Sequence, residues 1–67
     1  MRIYESKDVV IVVSGLEKRV LIRTAKSFAL LRLDDVKEVM ERAKDHLNPE
    51  GLSVLAKMLE EELASST

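Results

Sequence analysis

Residues 35–64 read DVKEVMERAKDHLNPEGLSVLAKMLEEELA, and this stretch decides the architecture of the C-terminal half. Two amphipathic runs, Asp35 to Leu47 and Leu52 to Ala64, meet at Asn48-Pro49-Glu50-Gly51. Asp35 is placed to cap the first helix, with Glu38 completing a capping box. Val36, Val39, Met40, Ala43 and Leu47 recur at helical spacing and form one narrow apolar stripe. Glu38 and Arg42 stand in the well-oriented i, i+4 relation. Asn48 reads as the cap of the second helix and Pro49 as its first residue, where a missing N–H costs nothing. Leu47, before that cap, can staple to Leu52. So short a connection demands sharply reversed or crossing helices.

Working toward the N-terminus, the chain changes character. Val9-Val10-Ile11-Val12-Val13 is a block of strand-favouring, β-branched residues. It shows no alternation between faces, so both faces of this strand are expected to be covered. Ser14 to Lys18 reads as a turn, with Gly15 supplying a positive φ. Arg19 to Thr24 returns as the second strand, with Val20 and Ile22 on one face and Arg19, Leu21 and Arg23 on the other. Residues Arg2 to Glu5 add a short strand before this hairpin. Lys26 to Leu33 supports two readings. As a strand it alternates Phe28 and Leu30 against Ala29, Leu31 and Leu33; as a helix its Ala, Lys, Leu and Arg content is favourable. The connection Ala25-Lys26-Ser27 lacks Gly, Asn and Asp, which weakens the hairpin, but the strand reading is preferred.

The 67 residues make one small domain. Residues 1–33 are mainly β, 34–64 hold the two helices, and 65–67 form a tail expected to fray. In a chain of this size apolar burial and ordering entropy nearly cancel, and a disulfide, a metal or a second copy usually tips the balance. There is no cysteine and one histidine, so self-association is the remaining device and a homodimer or higher oligomer is expected. The longest wholly apolar run is far too short to span a bilayer, and no signal-peptide core precedes Glu5. No membrane association and a cytoplasmic location are therefore the expectation.

Residues that could carry chemistry are few. His46, the only imidazole, lies in the last turn of the first helix, where a cation suits the helix dipole; it reads as a capping or solvated histidine. Asp34 and Asp35 stand where a helix start favours carboxylates, and they read as capping residues, not metal ligands. No glycine-rich phosphate loop exists, since the only glycines are Gly15 and Gly51. No catalytic residue, cofactor or metal is expected, and the chain does not read as an enzyme.

Two features rise above this background. The first is a charge split: residues 1–33 carry seven Lys/Arg against three acids (+4), and residues 34–67 carry four against nine (−5), summing to the overall −1. Neutralisation of one half by the other is the plain explanation. The alternative is that Arg19, Arg23 and Arg32 line one surface of the sheet and contact phosphates as β-ribbon DNA readers do. With Tyr4 and Phe28 the only aromatic residues, stacking on single strands is disfavoured. The second feature is the breadth of the second helix's apolar surface. Leu52, Leu55, Ala56, Leu59 and Leu63 share a face, and Val54 and Met58 widen it. An overwide stripe marks a helix between two layers or an interaction surface, with Val54 and Met58 as its candidates. Glu60-Glu61-Glu62 sits at the end of its helix that the dipole disfavours. It reads as a solvated end or, more sharply, as a feature awaiting a cationic surface.

The fold class is therefore α+β: a small antiparallel sheet of two to four strands followed by a helical hairpin packed on one face. The other face of the sheet, rich in Val and Leu, is expected to bury against a second copy. The chain reads first as a small non-catalytic protein-interaction module, self-associating, in a regulatory or adaptor role. The alternative is a DNA-binding transcriptional regulator or antitoxin-like protein that uses a basic β-ribbon.

Overall fold

A computed structural model describes residues 1–65. Four strands, β1 (Arg2–Glu5), β2 (Val9–Ser14), β3 (Arg19–Thr24) and β4 (Phe28–Arg32), are followed by two helices, α1 (Val36–Ala43) and α2 (Pro49–Ser65). The strands form one antiparallel meander in the order β1-β2-β3-β4. Every strand pairs with its chain neighbour, as short reversals require. Register follows the apolar pattern: Ile11 pairs with Ile22, which pairs with Ala29, and Val13 pairs with Val20, which pairs with Leu31.

The stretch from Lys26 to Leu33 resolves as strand β4. Its hairpin is closed by a hydroxyl instead of a glycine. Thr24 Oγ1 accepts hydrogen bonds from the N–H groups of Lys26 (3.3 Å) and Ser27 (3.0 Å), while Thr24 N–H donates to the Ser27 carbonyl (2.8 Å). A threonine can thus replace the usual turn residues by mimicking a backbone turn with its side chain. Between β2 and β3, the positive φ falls on Lys18 (φ 54°), whereas Gly15 has no positive φ. That corrects the expected use of the glycine, which serves close packing instead.

Both helix starts are capped by the predicted residues, although Glu38 does not return to the Asp35 N–H to complete the expected capping box. Asp35 Oδ1 accepts from Lys37 N–H at 2.9 Å, and Asn48 Oδ1 accepts from Gly51 N–H at 2.8 Å. Glu38 reaches Arg42 at 3.1 Å, so it serves the predicted i, i+4 pair. Helix α1 is shorter than the run ending at Leu47. Beyond Ala43 the chain tightens, with Asp45 N–H on the Arg42 carbonyl and His46 N–H on the Ala43 carbonyl. Such i→i+3 bonds satisfy the terminal carbonyls. At the other end α2 includes Ser65, so of the expected tail only residues 66 and 67 are left, and these lie outside the described residues.

The core lies between the helices and one face of the sheet. Ile11, Val13, Val20, Ile22, Val39, Ala43, Leu55 and Leu59 are almost fully buried. Helix α2 packs over β2, and α1 contacts β4. The face of α2 turned to the core is rotated from the expected one. Gly51, Leu55, Met58, Leu59 and Glu62 are buried, whereas Ala56 and Leu63 are exposed. The helices cover one face of the sheet only. The expectation that both sides of the β2 valine block are covered is therefore not met by the single chain.

Candidate interaction surface

The uncovered face of the sheet is built by the alternation of side chains along each strand. On β2 it presents Val10 and Val12, on β3 Arg19, Leu21 and Arg23, on β4 Phe28, Leu30 and Arg32, and on β1 Ile3 and Glu5. The pairing register arranges these as rows. The middle row runs Ile3–Val12–Leu21–Leu30 across all four strands. On one side of it lies Glu5–Val10–Arg23–Phe28. On the other side Arg19 stands directly opposite Arg32.

The middle row is apolar from edge to edge, and the next row adds Val10 and Phe28. Ile3 is 65% exposed, Phe28 62% and Leu30 55%, so the edges of this band face solvent. Val10, Val12 and Leu21 are half-buried, shielded only by their neighbours. An apolar band of this kind, rimmed by charge, is the usual mark of a contact surface.

All three arginines picked out from sequence lie on this face, at its margins. Arg19 and Arg32 are cross-strand neighbours, a like-charge juxtaposition that costs folding free energy. Arg32 is relieved by Asp34, whose Oδ2 lies 3.6 Å from Arg32 Nε. Among the described residues, Arg19, Arg23 and Glu5 take part in no ion pair.

Val54 and Met58 sit elsewhere. Met58 is buried in the core and Val54 is half-buried against it, so the breadth of the α2 stripe is taken up largely within one chain. The two residue sets expected to serve separate roles thus part company. The arginines border an exposed apolar sheet, while Met58 is part of the interior.

The acidic end of α2 holds an arrangement that sequence did not reveal. Glu62, with its side chain 8% exposed, accepts a hydrogen bond on Oε2 from Gly15 N–H at 2.8 Å. The same oxygen lies 2.9 Å from the Met1 ammonium, and Oε1 lies 3.9 Å from Arg2 Nε. Glu61 approaches Arg2 Nη1 at 3.9 Å. The cationic surface this acidic run could await is supplied by the chain's own first strand. The Gly15 hydrogen bond above all, then the Met1 ammonium and Arg2, hold the Glu62 carboxyl below the ordinary carboxylate range, against the opposing effect of burial. Gly15 suits this approach, because a Cβ there would lie 3.1 Å from Glu62 Cγ and the glutamate would have to give by a few tenths of an ångström.

His46 Nδ1 lies 3.0 Å from Ser27 Oγ, which is 2.9 Å from Thr24 Oγ1. A serine beside an imidazole invites comparison with an activated nucleophile, which also needs an orienting group and oxyanion donors. Here the nearby N–H groups of Lys26 and Ser27 are spent on Thr24. The contact instead pins the end of α1 to the β3–β4 turn. Beside it, a cleft of about 410 Å³ is lined by Tyr4, Lys7, Asp8, His46, Asn48 and Val54 among others. Its mixed charge favours neither anion nor cation.

Among the described residues, no group of three or more His, Asp or Glu is placed to hold a metal ion, and no helix is long and apolar enough to cross a membrane. The chain matches no family model, no curated protein and no solved structure.

Proposed function

We propose that the protein is a small non-catalytic interaction module that self-associates through the open face of its sheet and acts in a regulatory or adaptor role. The observation that carries this reading is the apolar row Ile3–Val12–Leu21–Leu30, which spans the sheet and has no covering layer from its own chain. Burial of apolar area at about 25 cal/mol per Å² drives association as it drives folding. A face of this composition supports a partner of like kind.

The test is molar mass across a dilution series, with Leu21→Lys/Leu30→Lys as comparison. The wild-type mass should fall from dimer toward monomer on dilution. The variant should remain monomeric with an unchanged far-ultraviolet spectrum. A wild-type chain that is monomeric even at several hundred micromolar would refute the reading.

One observation favours a second reading, a nucleic-acid-binding regulator. Arg19 and Arg32 face one another across β3 and β4, with Arg23 further along the same face. Such a cluster suits a polyanion. Genuine phosphate contacts would make log K fall with log salt at about 0.9 per contact on duplex DNA. Three arginines should therefore give a slope near −3 that flattens when Arg19 and Arg32 become Gln. Absence of binding at low salt would dispose of it.

A further inference from the structure

We infer that two copies pack face to face with their two-fold axis parallel to the strands, so that β1 of one lies over β4 of the other and Glu5 of each approaches Arg23 of its partner. This rests on the self-association reading above and specifies its geometry.

A two-fold relating two apposed sheets must lie in the plane between them. Symmetry thus offers two principal choices, along the strands or across them. An axis across the strands lays the middle row on itself, but it also sets Arg23 opposite the partner's Arg19 and Phe28 opposite the partner's Arg32. Like charges meeting in a partly desolvated interface are strongly disfavoured. An axis along the strands exchanges β1 with β4 and β2 with β3. Ile3 then faces the partner's Leu30, and Val12 faces the partner's Leu21. Arg23 lies over the partner's Val10, with the partner's Glu5 one strand spacing to one side and the partner's Arg23 one spacing to the other. Each arginine thus meets a carboxylate beside a like charge instead of a like charge head-on. With strands about 4.8 Å apart and sheets about 10 Å apart, an arginine and a glutamate can span that gap.

Within one copy Glu5 and Arg23 are separated by the strand bearing Val10 and form no ion pair. Each therefore enters the interface with its charge unmatched, and the symmetry makes the pairing twice. Aligned sheet packing, with its small rotation between strand directions, is a common solution for two such faces. An edge-to-edge dimer would instead leave the middle row exposed.

The area agrees with a dissociable assembly. Four strands and about five residues along each give a face of roughly 19 by 17 Å. Allowing for side-chain relief, this is on the order of 1,000 Å² buried over both copies, the lower bound for a specific interface. The dimer should therefore come apart on dilution.

Two measurements test the geometry. Glu5→Arg and Arg23→Glu should each weaken dimerisation at least tenfold, while an equimolar mixture of the two should contain a heterodimer of near wild-type strength. Because the chain has no cysteine, Ile3→Cys and Leu30→Cys can also be joined by a short bismaleimide. The mixture of those variants should cross-link, and Ile3→Cys alone should not. A wild-type dimer that is indifferent to the charge reversals, or that cross-links as Ile3→Cys alone, overturns this geometry and leaves self-association standing. A wild-type chain that never dimerises overturns both.

Discussion

Glu62 occupies a position that the spacing from Leu55 and Met58 assigns to the core, and the chain fills it with a carboxylate. The site is satisfied because Gly15 N–H and the Met1 ammonium lie at hydrogen-bond distance from Oε2 and the Arg2 guanidinium adds a longer ion pair to Oε1. Its consequence for pH follows from the lowered proton affinity in the folded state. The unfolded chain binds the proton more readily, so stability rises with pH through the acidic range. The stabilisation is fully present above the unfolded carboxyl's value and is lost as pH falls through the lower, folded one. Glu62→Gln should lower the thermal midpoint at neutral pH and flatten its decline on acidification, as a midpoint series between pH 2 and 7 would show. Gly15→Ala should also destabilise, by forcing Glu62 back from a Cβ contact of 3.1 Å. The two effects should be less than additive, since both break one contact. Lys18, at φ 54°, carries a strain of roughly 1–2 kcal/mol. Lys18→Gly should therefore be neutral or raise stability slightly in urea unfolding. None of this is legible in sequence. A glycine in a turn announces freedom of φ, whereas here its smallness matters, and an acidic helix end looks the same whether solvated or bound.

At the scale of elements the helical hairpin was the most readable part, because its signals are local. Asn48 and Pro49 act as their chemistry dictates, and Asn48→Ala should cost about 1 kcal/mol in chemical denaturation. The face that α2 buries was read less well. Helical spacing pointed to Leu52, Leu55, Ala56, Leu59 and Leu63, yet Ala56 and Leu63 are exposed while Met58 and Glu62 turn inward. Leu55→Ala should cost about 2–5 kcal/mol, whereas Ala56→Ser, on the exposed side, should be nearly neutral. Met58→Glu should abolish cooperative unfolding by placing an unpaired charge in the core. It thus tests folding and not assembly, which the Val54 and Met58 pairing in sequence did not reveal. The β3–β4 hairpin was harder to read for a different reason. Its turn depends on the Thr24 hydroxyl, a side-chain substitute that no glycine or asparagine advertises.

For the molecule as a whole, sequence pointed to two apolar surfaces, the outer face of the sheet and the flank of α2 at Val54 and Met58. The fold leaves the first open and draws Met58 of the second into the core. The uniform valine block of β2 conceals which side faces the helices, and only the register with β3 and β4 separates Val10 and Val12 from Ile11 and Val13. The open apolar surface lies on the sheet, where the apolar row and its arginine border share a face. The self-association proposed above would stabilise the folded state by mass action. The thermal midpoint should therefore rise with protein concentration, and Leu21→Lys/Leu30→Lys should remove this dependence. Calorimetric scans over a hundredfold concentration range would decide it.

The bond from Gly15 to Glu62 also bears on the order of events during folding. Each hairpin closes over a short stretch, but this link joins positions 47 residues apart and so completes a loop through most of the chain. Closure of that kind is expected after the meander and the helices have met. Stopped-flow traces of Glu62→Gln should then show an almost unchanged refolding limb and a faster unfolding one. The carboxylate would act as a latch, governing how long the assembled molecule persists more than how quickly it forms.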